Sequence, residues 1–330
     1  MAAETHDSGT SEGHAVVYDP MFYLDWTYEI EAERLGARGV RLTVPQTREA
    51  AIAALPSADV VVVHDGPFGA EQMAHLRPGV AGLVCYSVGM NQVLLEDAEV
   101  RGIPVRNLPT WATESVSDHT ITMLLATQRR VVEMDQASRG TDWDVRRLMK
   151  GIGIRQYRGQ VVGIIGAGRI GKRVGQKARG IGFRTIATDP FLETSGDPDL
   201  PLVPLEELLA TSDAVLLCCS LNPTSERLLN AEAFAKMRRG MIVVNCARGR
   251  LIDEPALAGA LRDGTVAIAG LDVRAVEPPS GAPDHLSGLS NVILSPHIAW
   301  VSAEGFIAYH EECASVTLDL LEAAGRIPPA

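Results

Sequence analysis

Short apolar runs rich in β-branched residues alternate along the whole chain with stretches whose apolar positions recur at helical spacing. That alternation predicts an α/β protein with parallel sheets. In the first third the strand candidates are "HAVVYD", "VRLTV", "ADVVVVHD", "GVAGLVCYS" and "IPVRNL", separated by helical stretches such as "DWTYEIEAERLGA" and "TREAAIAAL". The stretch "TESVSDHTITMLLATQRRVVEM" predicts one long helix over residues 114–131, with Thr113 or Ser115 as its cap. A second series follows, "QVVGIIG", "RTIATD", "AVLLCC", "MIVVNCA", "VAIAGLDV" and "NVILSP". These are nearly continuous apolar runs, the form strands take when helices cover both sheet faces. The pattern "SAEGFIAYHEECASVTLDLLEAAG" is again helical. The reading is of two α/β halves that meet inside the long helix, with the last helix free to return to the first half.

At 330 residues the chain exceeds the usual size of one domain. Lys and Arg number 30 against 41 Asp and Glu, a formal charge of -11, which argues against nucleic acid or an anionic membrane as the main partner. No apolar run reaches the roughly 18 residues that a membrane helix needs. The opening "MAAETHDSGTSEGH" has neither a basic end nor an apolar core, so residues 1–13 read as a flexible tail rather than a signal peptide. Cys85, Cys218, Cys219, Cys246 and Cys313 show no metal-ligand spacing and mostly fall in apolar runs. They read as core residues in a reducing compartment, and a cytoplasmic location with no bound metal is expected.

Candidate chemistry begins at "VVGIIGAGRIGKRVG", where Gly166, Gly168 and Gly171 follow an apolar strand and open a helix. In a dinucleotide-binding turn the first glycine permits the bend, the second lets a pyrophosphate approach the backbone, and the third lets helix and strand pack closely. The next strand ends at Asp189, about 20 residues on, where a carboxylate accepts from ribose hydroxyls. That charge repels the extra phosphate of NADP, and "DPFLETSGD" carries no arginine or lysine, so NADH is expected over NADPH.

Three later strands end in charged or titratable residues. Arg248 follows "MIVVNCA", with Arg250 as its competitor; Asp272 and Glu277 follow another strand; His297 follows "NVILS". All three strand ends lie at the carboxyl edge, where open α/β sheets bind ligands. The set suits reduction of a 2-oxo acid by hydride transfer. Arginine can hold the substrate carboxylate with two parallel hydrogen bonds and polarise the carbonyl. An imidazolium, with an unperturbed pKa of about 6.5, can protonate the growing alkoxide. A glutamate beside it favours the charged ring.

Together, "NLPTWATESVSDHT", "VVGIIGAGRIGKRVG", "NCARGRLIDEPALAGAL", "GLDVRAVEP" and "SPHIAW" resemble the D-2-hydroxyacid dehydrogenase family, from about residue 58 to the C-terminus. The resemblance implies two doubly wound parallel-sheet domains with a cleft between them, and a homodimer. One is a flavodoxin-like substrate domain of residues 14–118 and 300–330; the other is an inserted Rossmann NAD domain of residues 119–299. It implies Arg248 as the carboxylate anchor, Glu277 as the acidic partner and His297 as the acid/base. Asp272 then stands beside the nicotinamide carboxamide, Arg169 and Ile170 in the pyrophosphate turn, and Cys246 and Ala247 at backbone contacts to the cofactor.

The segments "TDPF", "SPHIAW" and "GRIP" look most like the branch containing the C-terminal-binding proteins, where Trp300 lies at the substrate pocket. Where many relatives have two glycines and an Asp-Asn pair, this chain has "SVGMNQV"; the backbone around Val88 and Gly89 is expected to bind the substrate carboxylate. With no basic residue in that loop, and Met90 and Trp300 as neighbours, the expected substrate is a 2-oxo acid with a small to medium uncharged side chain. Two other readings stay open: an NAD(H)-sensing, corepressor-like scaffold that binds peptides, and a dehydrogenase of phosphorus anions from the same family.

Overall fold

The computed structural model of the chain describes residues 13–19, 27–64, 66–139, 153–279 and 284–329. They divide into two compact units, one running to Ala112 and resuming at Ser302, the other Thr113–Val301. The first unit is built on strands β1 (Gly13–Tyr18), β2 (Val40–Thr43), β3 (Val60–Val63), β4 (Gly82–Cys85) and β5 (Val105–Asn107). All are parallel, in the order β2-β1-β3-β4-β5, which is the flavodoxin-like winding. β1, β3 and β4 are buried along their whole length, as parallel strands covered on both faces must be. The last helix, Ala303–Ala323, belongs to this unit and starts on Ser302, whose hydroxyl accepts the Gly305 N–H at 2.9 Å.

The second unit carries β6 (Val161–Ile165), β7 (Arg184–Thr188), β8 (Ala214–Leu217), β9 (Met241–Asn245), β10 (Val266–Leu271) and β11 (Val292–Leu294). They too are parallel, in the order β11-β10-β9-β8-β6-β7. A one-residue bridge from Leu202 to Ala187 extends the sheet beyond β7. Successive strand residues point to opposite faces: Val215, Leu217 and Val243 join one apolar layer, and Ala214, Leu216 and Val244 the other. The winding reverses between β6 and β8, the switch point at which such sheets place their ligands.

Three boundaries differ from those read in the sequence. Gly13 is the first residue of β1 rather than tail, and the rest of that stretch, residues 1–12, lies outside the described residues. The long helix spans Thr113–Gln128, with Thr113 and Ser115 inside it, and a second helix runs Val131–Arg139. The break falls at Arg130, whose φ of 53° is left-handed and cannot continue a right-handed helix. The units therefore part at Ala112/Thr113 and Val301/Ser302, not at 118/119 and 299/300. Helix Thr113–Gln128 packs whole against helix Arg169–Ile181, where Lys177 Nζ donates to Ser117 and Asp118 at 2.7 Å each. Among the described residues no helix is long and apolar enough to cross a membrane, and no group of three or more side chains could hold a metal.

Candidate active site

β6 runs into Gly166, Ala167 and Gly168, and the helix begins at Arg169. The three glycines serve different ends. A Cβ on Gly166, where φ is 100°, would fall 2.7 Å from the Cys219 nitrogen beyond β8; one on Gly171 would fall 1.9 Å from the Gly166 oxygen. Both positions exclude any side chain. A Cβ on Gly168 would meet nothing within 4 Å, and its φ of -72° suits any residue. Nothing in the chain demands glycine there, so the open space above that backbone suits an approaching pyrophosphate. The helix has no side-chain cap, which leaves its first-turn N–H groups for an anion. Arg169 is exposed and Ile170 half-buried in that turn.

Asp189, just after β7, holds a turn. Its Oδ2 accepts the Ala167 N–H at 2.9 Å and its Oδ1 the Phe191 N–H at 3.0 Å. The carboxylate so ties the glycine turn to β7, and each oxygen keeps a further lone pair for a ribose hydroxyl. Pro190, Phe191, Leu192 and Glu193 follow, all exposed and none basic.

β9, β10 and β11 are neighbours, and each is followed by candidates at the same edge. After β9, buried Asn245 sets the turn: its Oδ1 accepts the Ala247 N–H and its Nδ2 donates to the Arg248 oxygen, both at 2.9 Å. Arg248 is half-buried, donates Nη1 to the Ala247 oxygen at 2.7 Å and forms no ion pair among the described residues. Burial pushes its pKa down, and the Glu277 charge opposes that. Arg250 is exposed and paired with Glu226 at 2.7 Å, so Arg248 is the cation left for an anionic ligand.

Glu277 Oε1 accepts the Arg274 N–H at 2.7 Å, and Oε2 lies 2.6 Å from His297 Nδ1. Burial alone would raise the Glu277 pKa. The hydrogen bonds from His297 and Arg274 and the charges of His297 and Arg248 outweigh it and hold the carboxyl below its ordinary value. The His297 ring is 41% exposed, and its Nε2 has no partner among the described residues.

Asp272 directly follows β10. Its side chain is fully buried. Oδ1 accepts the Ile298 N–H at 3.0 Å and the Ser295 hydroxyl, Oδ2 accepts the Ala299 N–H at 2.8 Å, and its main-chain oxygen accepts the His297 N–H at 2.8 Å. His119 Nε2 stands 3.5 Å from Oδ1 and 3.1 Å from Ser295 Oγ. Burial alone would raise its pKa, but His119, Ser295 and the two N–H groups outweigh it and bring it down to about 2. These bonds pin the turn that carries His297, and Oδ2, which accepts one of them, keeps a further lone pair. Trp300 closes the same turn, its Nε1 donating to the His297 oxygen at 3.0 Å.

Cys246 is buried, which pushes its thiol up to about 12, and the Ala247 N–H is already engaged, so the backbone contacts expected there are narrowed. In the first unit the Val88 oxygen accepts from Asn107 Nδ2 at 2.6 Å and the Gly89 oxygen from Ser87 Oγ at 2.5 Å. Their N–H groups have no partner among the described residues, a feature that suits an anion. Reading by strand ends missed Asn245, Ser295 and His119. For Asn245 the signal available was a polar side chain at the end of an otherwise apolar strand.

The family described as "D-isomer specific 2-hydroxyacid dehydrogenase, NAD binding domain" matches residues 121–299. A glyoxylate reductase of Korarchaeum cryptofilum is 36% identical over 289 residues, 86% of this chain and 86% of its own. A D-3-phosphoglycerate dehydrogenase of Mycobacterium leprae is 35% identical over 255 residues, 77% of this chain and 47% of its own; the chain spans about half the length of that relative. The structure of a glyoxylate reductase from Paecilomyes thermophila matches with a TM-score of 0.80 at 26% identity, over 94% of this chain and 95% of that one. These relatives are named as dehydrogenases and reductases, so the expected nearness to the C-terminal-binding branch is not what the comparisons bring out.

Proposed function

Because the chain belongs to the D-isomer specific 2-hydroxyacid dehydrogenase family, we propose that it interconverts a 2-oxo acid and a D-2-hydroxy acid with NADH as the reductant. The observation that carries this reading is the His297–Glu277 pair at 2.6 Å, with Arg248 on the neighbouring strand end. When bound, NADH supplies the hydride for the substrate carbonyl carbon. The open side of Gly168 and the helix start at Arg169 would hold its pyrophosphate, and Asp189 its ribose hydroxyls. The Asp189 charge, with no basic residue among the four that follow, favours NADH over NADPH.

Arg248 holds the substrate carboxylate with two parallel charge-assisted hydrogen bonds and polarises the adjacent carbonyl. His297 donates its Nε2 proton to the forming alkoxide, while Glu277 on Nδ1 fixes the ring and balances the imidazolium charge. In the oxidative direction His297 takes the hydroxyl proton back. In the first unit the N–H groups of Val88 and Gly89, without partners among the described residues, suit an anion, and the "SVGMNQV" loop carries no basic residue, which supports a substrate with a small to medium uncharged side chain. A homodimer is part of the proposal: helix Val131–Arg139 buries none of its described residues, with Val131 53% exposed, and light scattering should give twice the chain mass.

The test is a steady-state screen of glyoxylate, pyruvate, hydroxypyruvate and longer 2-oxo acids with NADH and NADPH. Turnover of at least one with NADH, giving the D-product on a chiral column, is expected. No turnover above background for any of them rejects the proposal.

A further inference from the structure

Arg274 stands in the turn between β10 and Glu277, and its side chain is only 11% exposed. Its Nε donates to Glu254 Oε1 at 3.0 Å and its Nη2 to Glu254 Oε2 at 3.1 Å and to Asp284 Oδ1 at 2.9 Å. Glu254, at 14% exposure, opens helix Glu254–Asp263, and its Oε1 also accepts the Ala275 N–H at 2.8 Å. An isolated surface ion pair contributes little. A nearly buried two-point fork with a second acid behind it fixes direction as well as distance.

The main chain of the same residue meets both catalytic turns. Its N–H donates to Glu277 Oε1 at 2.7 Å, on the carboxylate whose other oxygen holds His297. Its carbonyl carbon and oxygen stand where a Cβ on Gly249, the residue after Arg248, would fall 1.9 Å away. A shift of the Arg274 backbone therefore moves the support of Glu277 and the wall of the Arg248 turn together.

We propose that Arg274 is a positioning residue: anchored on Glu254 and Asp284, it holds the Glu277 carboxylate on His297 Nδ1 and seats the turn that presents Arg248. The assignment rests on the acid/base role given above to His297. It is tested in the full-length protein by following the His297 imidazole through a ¹⁵N NMR pH titration, in the wild type and in R274M, R274K, E277Q and R274M/E277Q. Among the described residues, Glu277 is the charged partner of that ring, and the charges acting on Glu277 are those of His297 and Arg248.

Losing Glu277 removes support for the protonated ring, so E277Q moves the midpoint to lower pH. R274M moves it the same way, R274K lies between R274M and the wild type, and the double variant titrates as E277Q alone. In turnover, kcat of R274M falls roughly tenfold or more while NADH affinity is unchanged. A folded R274M that titrates like the wild type overturns the proposal, as does an unshifted E277Q. If R274M does not fold, R274K and E254Q replace it, and unshifted midpoints in both overturn it equally. The titration needs no substrate. Failure of every 2-oxo acid to react would reject the dehydrogenase reading, whereas wild-type turnover with an unshifted R274M rejects only the role of Arg274.

Discussion

His297 sits at φ 55°, a left-handed conformation that costs a side chain of this kind on the order of 1–3 kcal/mol. Three bonds offset that cost: its N–H to the Asp272 oxygen, its oxygen from Trp300 Nε1, and its Nδ1 to Glu277. His297→Gln is expected to lower the reductive rate by roughly 10²- to 10⁴-fold with NADH binding kept, as stopped-flow fluorescence would measure; an unchanged rate removes the residue from its role. Asp272 carries a pH prediction. Its folded pKa, about 2, lies below the unfolded value of about 3.9. The group therefore stabilises the fold by roughly 2–3 kcal/mol above pH ~4, and that contribution is lost as pH falls from ~4 through ~2. Denaturant titrations at a series of acid pH values should show this slope in the wild type and a shallower one in Asp272→Asn. An identical slope in both would mean the carboxylate is not held as described. The placement of Arg248, Glu277 and His297 after three strands was legible because an apolar run precedes each. The burial of Asp272 was not, because its donors come from residues 119, 295, 298 and 299, which no spacing rule connects.

Among elements, the strands were the most legible, since a parallel strand covered on both faces has to be largely apolar, and Val60–Val63 and residues 241–244 are apolar and buried throughout. The end of helix Thr113–Gln128 was not. The apolar spacing runs on past it, and only the left-handed Arg130 stops it. The glycine turn separates a fold requirement from a ligand requirement in one short element. Gly171→Ala drives a methyl to 1.9 Å from the Gly166 oxygen and should cost about 1–3 kcal/mol of stability. Gly168→Ala meets no atom within 4 Å and should unfold like the wild type while binding NADH roughly tenfold more weakly. Calorimetry with and without NADH reads both quantities. Equal NADH affinity in Gly168→Ala and the wild type would show that the open space is not where the pyrophosphate lies.

At the scale of the molecule, the order of elements along the chain does not say which sheet the last helix joins. "SAEGFIAYHEECASVTLDLLEAAG" is helical wherever it packs, so its return to the first unit was expected only through the family resemblance. The structure makes it concrete: Thr110 and Trp111 donate their N–H groups to Glu312 on that helix, at 3.1 and 2.8 Å. The intervening Thr113–Val301 unit has its own six-stranded sheet with an apolar layer on each face. It also carries the whole proposed cofactor site, from Gly166 through Asp189, together with Arg248, Glu277 and His297. A fragment spanning residues 113–301 should therefore fold and bind NADH with the affinity of the full chain. A ligand that binds only the folded form adds RT ln(1 + [L]/Kd), about 2.7 kcal/mol at a hundred times Kd. NADH should accordingly raise the fragment's melting temperature as it does the full chain's, and NADPH should raise it less because of Asp189. A fragment with native circular dichroism and no shift on adding NADH would place part of the cofactor site outside this unit.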